Sequence, residues 1–149
     1  MLTLPRKLMF AIEAVTDIAR QPLDRPVPSR DITSRQGIPP RYLEQVLQKL
    51  VKAGILSGIR GPKGGYRLAR ERRRITLADI VRAVEEVAPG REATAGGTVL
   101  HRQVIAPVWQ DVQAGTLERL DEISIEDLCL RAQAAGLDEG VENPLDFII

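Results

Sequence analysis

The 149-residue chain has one cysteine, one histidine and few aromatic residues. A lone thiol, Cys129, excludes an intrachain disulfide framework and a four-cysteine metal site, and it is typical of the reducing cytoplasm. The early apolar run at residues 8–12 is soon interrupted by Glu13, so we expect neither a signal peptide nor a membrane span. One histidine and one cysteine, 28 residues apart, do not supply the nucleophile, base or metal set of an enzyme.

The formal net charge of +1 hides a strong asymmetry between the two halves of the chain. Residues 1–75 hold 16 Lys and Arg against 6 Asp and Glu, a net charge of +10, whereas residues 76–149 hold 5 against 14, a net charge of −9. This division predicts a polyanion-binding module followed by a segment with another task. Two solvated surfaces of opposite charge are the alternative.

Hydrophobic periodicity in the basic half predicts three helices. The first begins near Pro5 and is stopped by Gln21-Pro22, and Ser29 can cap a short second helix that ends at Gly37. Pro39-Pro40 then opens a third helix, which ends at Gly54. The third helix has an apolar stripe opposite a polar face, and the stripe consists of Leu43, Val46, Leu47, Leu50 and Val51.

The third helix is followed by a predicted β-hairpin. Residues 55–60 and 66–69 are the two strands, and residues 61–65 form a glycine-rich loop between them. The basic run at residues 70–74 lies at the base of this hairpin, where its arginines are either phosphate anchors or solvated charges. Thr76-Leu77-Ala78-Asp79 then has the form of a capping box at the start of a fourth helix, which includes Val87.

Residues 89–98, with three glycines and one proline, predict a flexible linker. The predicted organisation is a DNA-binding domain at 1–88, this linker, dimerisation helices at 99–136 and an acidic tail at 137–149. Ser124-Ile125-Glu126-Asp127 resembles a second capping box within the dimerisation segment. The long helix before it has a nearly heptad seam that we expect to hold a dimer together, formed by Trp109, Val112, Thr116, Leu120 and Ile123.

This order of elements predicts a mainly α fold with a small β-hairpin, namely a winged helix-turn-helix followed by a long C-terminal dimerisation helix. The third helix is then the one that enters the major groove of DNA. On its polar face Arg41 can donate to guanine, Gln45 and Gln48 can pair with adenine, and Glu44 can accept from the cytosine amino group. Tyr42 can meet a phosphate or a thymine methyl group.

The glycine-rich loop is the predicted wing. Arg60 and Lys63 are its cations, and glycines such as Gly64 let the backbone come close to a phosphate. A nucleotide-binding loop is disfavoured, because Lys63 is not followed by Ser or Thr. An ordinary solvated helix surface is the alternative for the polar face of the third helix, and the neighbouring basic hairpin favours the DNA-binding interpretation.

At residues 42–45 and 60–66 the sequence resembles the Rrf2 family of bacterial transcription regulators, and the resemblance covers most of the chain. It implies a homodimer held by the long helix after the linker, with two reading helices on a palindromic operator in double-stranded DNA. The family's reading positions correspond to Arg41, Tyr42, Glu44 and Gln45, and its wing arginine corresponds to Arg60.

The chain departs from the best-known members of this family in one respect. Those members hold an iron–sulfur cluster with three cysteines between the fourth helix and the dimerisation helix, whereas residues 88–108 contain no cysteine here. His101 and Cys129 cannot replace such a set, so no cofactor or metal is expected. Cys129 lies between two leucines of a helix expected to pack, where it is either a buried inert thiol or a redox switch.

The sequence, with this resemblance, therefore predicts a homodimeric, sequence-specific DNA-binding regulator that lacks an iron–sulfur cluster, and we expect a repressor. Two alternatives stay open. The winged helix can act as a protein-interaction adaptor, or Cys129 can make the chain a thiol-based redox regulator.

Overall fold

The computed structural model describes residues 4–85 and 97–137. The predicted linker and tail lie largely outside these residues, and Val87 lies wholly outside them. Within the described ranges no helix is long and apolar enough to cross a bilayer. The helices and strands are α1 (Arg6–Arg20), α2 (Ser29–Gln36), α3 (Pro40–Lys52), β1 (Leu56–Ile59), β2 (Gly65–Leu68), α4 (Leu77–Val84), α5 (Ala106–Asp121) and α6 (Ile125–Ala134). This mainly α architecture with one antiparallel hairpin confirms the predicted fold class.

The local signals at the ends of the helices are mostly confirmed. Gly37 adopts a left-handed φ of 67° directly after α2, and Gly54 does the same with a φ of 75° after α3. The prediction that Ser29 caps α2 is wrong, because Ser29 is the first residue of that helix and follows Pro28, which makes no side-chain capping bond. Both predicted capping boxes are present, at Thr76 with Asp79 and at Ser124 with Asp127.

Helix α1 is the centre of the hydrophobic core, since it packs against α2, α3, α4 and α6. Its fully buried contact residues are small, namely Ala11, Ala14 and Val15, so neighbouring helices approach closely. Four residues of the predicted α3 stripe are buried, and they are Leu43, Val46, Leu47 and Leu50. Val51 departs from the prediction because it lies at the exposed end of the helix. Burial of this stripe turns the polar face of α3 outward.

The hairpin is attached to the rest of the domain through the loop between α1 and α2. Leu56 is paired with Leu68 and Ile59 with Gly65 in the antiparallel register. The backbone N–H groups of Val27 and Tyr66 each donate to the other residue's carbonyl at 2.8 Å, so Val27 forms an isolated antiparallel bridge to β2. A Cβ atom at Gly65 would collide with the Val27 carbonyl group, which explains glycine at this position.

The C-terminal end of α5 is joined to the start of α4 by several hydrogen bonds. The Leu77 N–H donates to the Ile123 carbonyl at 2.9 Å, and the Ile125 N–H donates to the Ile75 carbonyl at 2.8 Å. The Asp121 carboxylate accepts from Arg82 at 3.1 Å and from the Thr76 hydroxyl at 2.9 Å. These two donors lower the pKa of Asp121. The C-terminal end of α5 is therefore fixed to the domain that carries the hairpin.

A buried carboxylate that the sequence pattern did not reveal joins α1 to α2. Asp17 is only 3% exposed. Its oxygens accept two bonds from the Arg35 guanidinium, at 2.9 and 2.8 Å, and one from the Gln36 amide at 2.8 Å. The hydrogen bond to Asp17 is also the main reason that the pKa of Arg35 is raised. This network fixes the short helix that precedes α3.

Neutralising this carboxylate should destabilise the domain. Asp17→Asn retains the shape of the side chain but leaves Arg35 without its charged partner, and we expect it to lower the free energy of unfolding by about 2 kcal/mol. Urea unfolding followed by circular dichroism measures the change. Asp24→Asn is the matched control, because Asp24 forms only an exposed pair with Arg25 and should cost less than about 0.5 kcal/mol. Equal midpoints for the two variants would contradict this role of Asp17.

Candidate nucleic-acid interface

The outward face of α3 displays all five side chains predicted to read DNA. Arg41, Tyr42, Glu44, Gln45 and Gln48 are all exposed, whereas the apolar stripe on the other side of the helix is buried. Their intervals of three and four residues bring them to one side of the helix axis. The structure therefore presents a continuous polar surface about two turns long, which has the dimensions of a helix that enters a major groove.

Tyr42 differs from its neighbours because its ring is supported from α1. The centroids of the Phe10 and Tyr42 rings are 6.4 Å apart and the ring planes are tilted by 40°. This spacing is within the range of favourable aromatic pairs. Tyr42 remains 52% exposed, so the contact orients the ring without removing it from the surface.

The wing projects two exposed cations, Arg60 and Lys63, at the tip of the hairpin. The tip is closed by a hydrogen bond of 2.9 Å from the Gly64 N–H to the Gly61 carbonyl, and Gly61 has a φ of 112°. A Cβ atom at Gly64 would collide with the Ile59 carbonyl oxygen. The hairpin itself therefore requires glycine at position 64, which is a different reason from the close approach to phosphate that the sequence suggested.

Three arginines of the basic run at the base of the hairpin have acidic partners within the chain. A guanidinium nitrogen of Arg70 lies 3.6 Å from a carboxylate oxygen of Asp79. A guanidinium nitrogen of Arg72 lies 3.9 Å from a carboxylate oxygen of Glu126. Arg73 is paired with Glu71. The side chains of all three pairs are at least a quarter exposed, so each pair contributes little to stability. They favour a structural role for this run over a dedicated set of phosphate anchors.

The segment that leads into α5 and the first half of α5 form an exposed apolar face. The large apolar residues there are about half exposed, and they are Val99, Leu100, Val104, Ile105, Val108, Trp109 and Val112. His101–Ile105 form one turn of π-helix. This turn departs from the regular α-helical period immediately before α5.

The predicted dimer seam divides into two parts in the structure. Trp109, Val112 and Thr116 are exposed and continue the apolar face. Leu120 is half-buried against the chain's own core. The prediction that Ile123 belongs to the long helix is wrong, because α5 ends at Asp121 and the Ile123 carbonyl is bonded to Leu77. The apolar face thus lies nearer the start of the helix than the seam predicted.

The candidate redox and sensing residues are on separate helical segments. Cys129 is 7% exposed on α6, and burial raises the pKa of its thiol even though Arg72 opposes this effect. A thiol that resists deprotonation is a poor nucleophile toward oxidants. His101 begins the π-helical turn, where its backbone N–H donates to the Thr98 hydroxyl oxygen at 3.1 Å.

These residues do not fit an iron–sulfur cluster. Such clusters take several thiolates or equivalent ligands. The sequence supplies one thiol and one imidazole. Among residues 4–85 and 97–137 no three His, Cys, Asp or Glu side chains are grouped so that they could hold a metal ion.

Comparison with known proteins shows that the chain is similar to transcription regulators over most of its length. The model of the Rrf2 family, described as an iron-dependent transcriptional regulator, matches residues 4–131. The HTH-type transcriptional regulator IscR of Xenorhabdus nematophila is 38% identical over 130 residues, which are 84% of this chain and 77% of that protein. IscR of Vibrio cholerae is 35% identical over 132 residues, or 85% of this chain and 75% of that protein.

Solved structures resemble the whole described fold. IscR from T. potens has a TM-score of 0.70 and 33% identity, with 90% of each chain covered. CymR, the global cysteine regulator of B. subtilis, has a TM-score of 0.68 and 26% identity, with 88% of this chain and 98% of that chain covered. With a family model that spans most of its length, this chain belongs to the Rrf2 family of transcription regulators.

Proposed function

We propose that the protein is a homodimeric repressor that binds a palindromic DNA operator and works without an iron–sulfur cluster. The observation that carries the proposal is the outward face of α3, where two amides, a guanidinium and a carboxylate lie beside a basic wing. Neutral and charged hydrogen-bonding groups of both kinds, donors and acceptors, are what base-edge recognition requires. A surface that only attracted a polyanion would need cations alone.

Glu44 is the residue from which we infer sequence-specific binding. A carboxylate is repelled by phosphates, so its place at the centre of a DNA-binding face is explained by a base contact. The exocyclic amine of cytosine is the donor that a carboxylate accepts from in the major groove. Arg60, on the wing, is positively charged and is therefore suited to the phosphate backbone or to a narrow groove.

The exposed apolar face at the start of α5 supports the homodimer. Seven large apolar side chains in one region form a contiguous surface, unlike the scattered apolar residues of a typical monomer. Two copies related by a twofold axis would cover both faces at once. Since the other end of α5 is bonded to α4, such a dimer would hold the two reading helices at a set separation.

The absence of a suitable ligand set supports regulation without an iron–sulfur cluster, although relatives in the family carry that cofactor. With one thiol on α6 and one imidazole before α5, the chain lacks the residues that such a cluster needs. A thiol-based mechanism is disfavoured by the burial of Cys129.

Two substitutions should separate base reading from backbone binding. A duplex is first selected from a random pool with the unsubstituted protein. Glu44→Ala should then reduce the discrimination between the selected and the substituted base pair, at one position of each half-site, by about 1 to 3 kcal/mol, with nonspecific affinity unchanged or higher. Arg60→Ala should instead weaken binding to all sequences and lower the salt slope by about one. Titration of both variants against the selected duplex, its single-base variants and unrelated DNA at several salt concentrations measures these effects. Unaltered base preference in Glu44→Ala would refute the assigned reading face.

A charge placed on the apolar face of α5 should dissociate the dimer. Val112→Asp puts a carboxylate into the proposed interface twice per dimer, and we expect the dissociation constant to rise at least a hundredfold, or about 2.7 kcal/mol. Leu130→Asp is the matched control, because Leu130 is also about half exposed but lies on α6. Sedimentation velocity over a range of concentrations measures both. An intact Val112→Asp dimer would place the interface elsewhere.

The purified protein should be colourless, and its DNA affinity should not change after anaerobic incubation with iron and sulfide. One thiol cannot hold a cluster, so the treated protein should show no absorption band between roughly 300 and 450 nm. Cys129→Ala should give the same spectrum and the same affinity. A band in this range together with stoichiometric iron and sulfide would overturn this part of the proposal.

A further inference from the structure

A groove beside the reading helix contains residues to which the function proposed above assigns no role. It has a volume of about 250 Å³ and lies between the first two turns of α1 and the first two turns of α3. Its lining residues are Arg6, Lys7, Phe10, Tyr42, Gln45 and Val46. The groove is continuous with the reading face, because Tyr42 and Gln45 belong to both.

The groove combines an apolar floor with a cationic rim. Val46 is buried and Phe10 is half-buried, and the Tyr42 ring leans on Phe10 at a centroid distance of 6.4 Å. Arg6 and Lys7 are both exposed on the side of α1 that lines the groove. Two of the six lining side chains are cations and none is a carboxylate.

This combination suits a sugar–phosphate chain better than a free ion or an apolar peptide. The deoxyribose rings of DNA offer apolar surface between anionic phosphates, and contacts to both are common at protein–DNA interfaces. A major groove is bordered by two such backbones. A helix that lies in the groove brings the residues beside its first turns close to one of those borders.

We propose that this groove binds the DNA backbone that flanks each half-site, with Arg6 and Lys7 contacting phosphates and the aromatic floor contacting sugar. The inference rests on the proposed DNA-binding function and adds a contact that carries no base information. The protein groove lies at the same end of α3 as Arg41 and Tyr42. Its contact with the DNA backbone would therefore fix the depth and tilt of α3 in the major groove.

The test compares two double substitutions in the full-length protein. Arg6→Gln with Lys7→Gln removes the rim charge, and Arg119→Gln with Arg131→Gln removes the same charge from exposed positions on α5 and α6. At about 0.1 M salt the first variant should bind the selected duplex about tenfold more weakly and lower the salt slope by about one to two. The ratio of affinities for the selected duplex and its single-base variants should not change. The control should stay within about twofold of the unsubstituted protein.

Neutral methylphosphonate linkages, introduced one at a time into the flanking backbone, locate the contact. One or two of them should weaken binding by the unsubstituted protein and have no effect on the Arg6→Gln, Lys7→Gln variant. Equal affinities of this variant and the control would overturn the backbone contact while leaving the proposed function intact. A changed base preference would overturn it too, and a raised dimer dissociation constant would show that a second copy fills the groove. Absence of salt-dependent DNA binding by the unsubstituted protein would overturn both proposals.

Discussion

Burial of the apolar stripe of α3 against α1 is the interaction on which the rest of the structure depends. The four stripe residues Leu43, Val46, Leu47 and Leu50 are almost completely removed from solvent, and each contributes about 1.5 to 3 kcal/mol. Rotation of α3 by one residue, about 100°, would force Glu44 into the core and expose Leu43. The orientation of the reading face is therefore set by the hydrophobic core, and the polar residues on that face are free to serve recognition.

The remaining elements are positioned relative to α3 through a small number of polar contacts. The Asp17 network joins α2 to α1, and the Val27 bridge attaches the wing to the preceding loop. Hydrogen bonds between the start of α4 and the end of α5 extend this framework to the apolar face. Because α3 packs on α4 and α4 packs on α5, the face proposed to read DNA and the face proposed to form the dimer belong to one connected set of helices.

The features that the sequence predicted well depend on neighbours along the chain. Helix periodicity, the capping boxes at Thr76 and Ser124, and the left-handed glycine after α2 are determined within a few residues, so a local pattern is enough. The polar face of α3 was predictable for the same reason. Its use in binding DNA stays a prediction, because recognition is a property of the complex.

The features that were missed depend on residues that are distant in sequence or on irregular backbone. Asp17 and Arg35 are 18 positions apart, and neither residue type in isolation indicates a buried pair. Val27 has no strand pattern around it, since it forms a single bridge. The π-helical turn before α5 is irregular backbone that a periodic pattern does not predict. Leu120 packs against the chain's own core, and periodicity alone does not distinguish such a contact from one with a partner chain.

Cleavage of DNA from a reagent tethered to α3 tests the central claim most directly. Cys129→Ala removes the native thiol, and Lys52→Cys then carries an iron chelate at the exposed C-terminal end of α3, while Leu23→Cys carries it on the exposed loop after α1. We predict that the Lys52→Cys conjugate cuts the selected duplex at two positions related by twofold symmetry, about one helical turn or a multiple of it apart. The Leu23→Cys conjugate should not cut at those positions. Cleavage by a DNA-bound Lys52→Cys conjugate that is no more localised than cleavage by the free chelate would contradict the placement of α3 in the major groove.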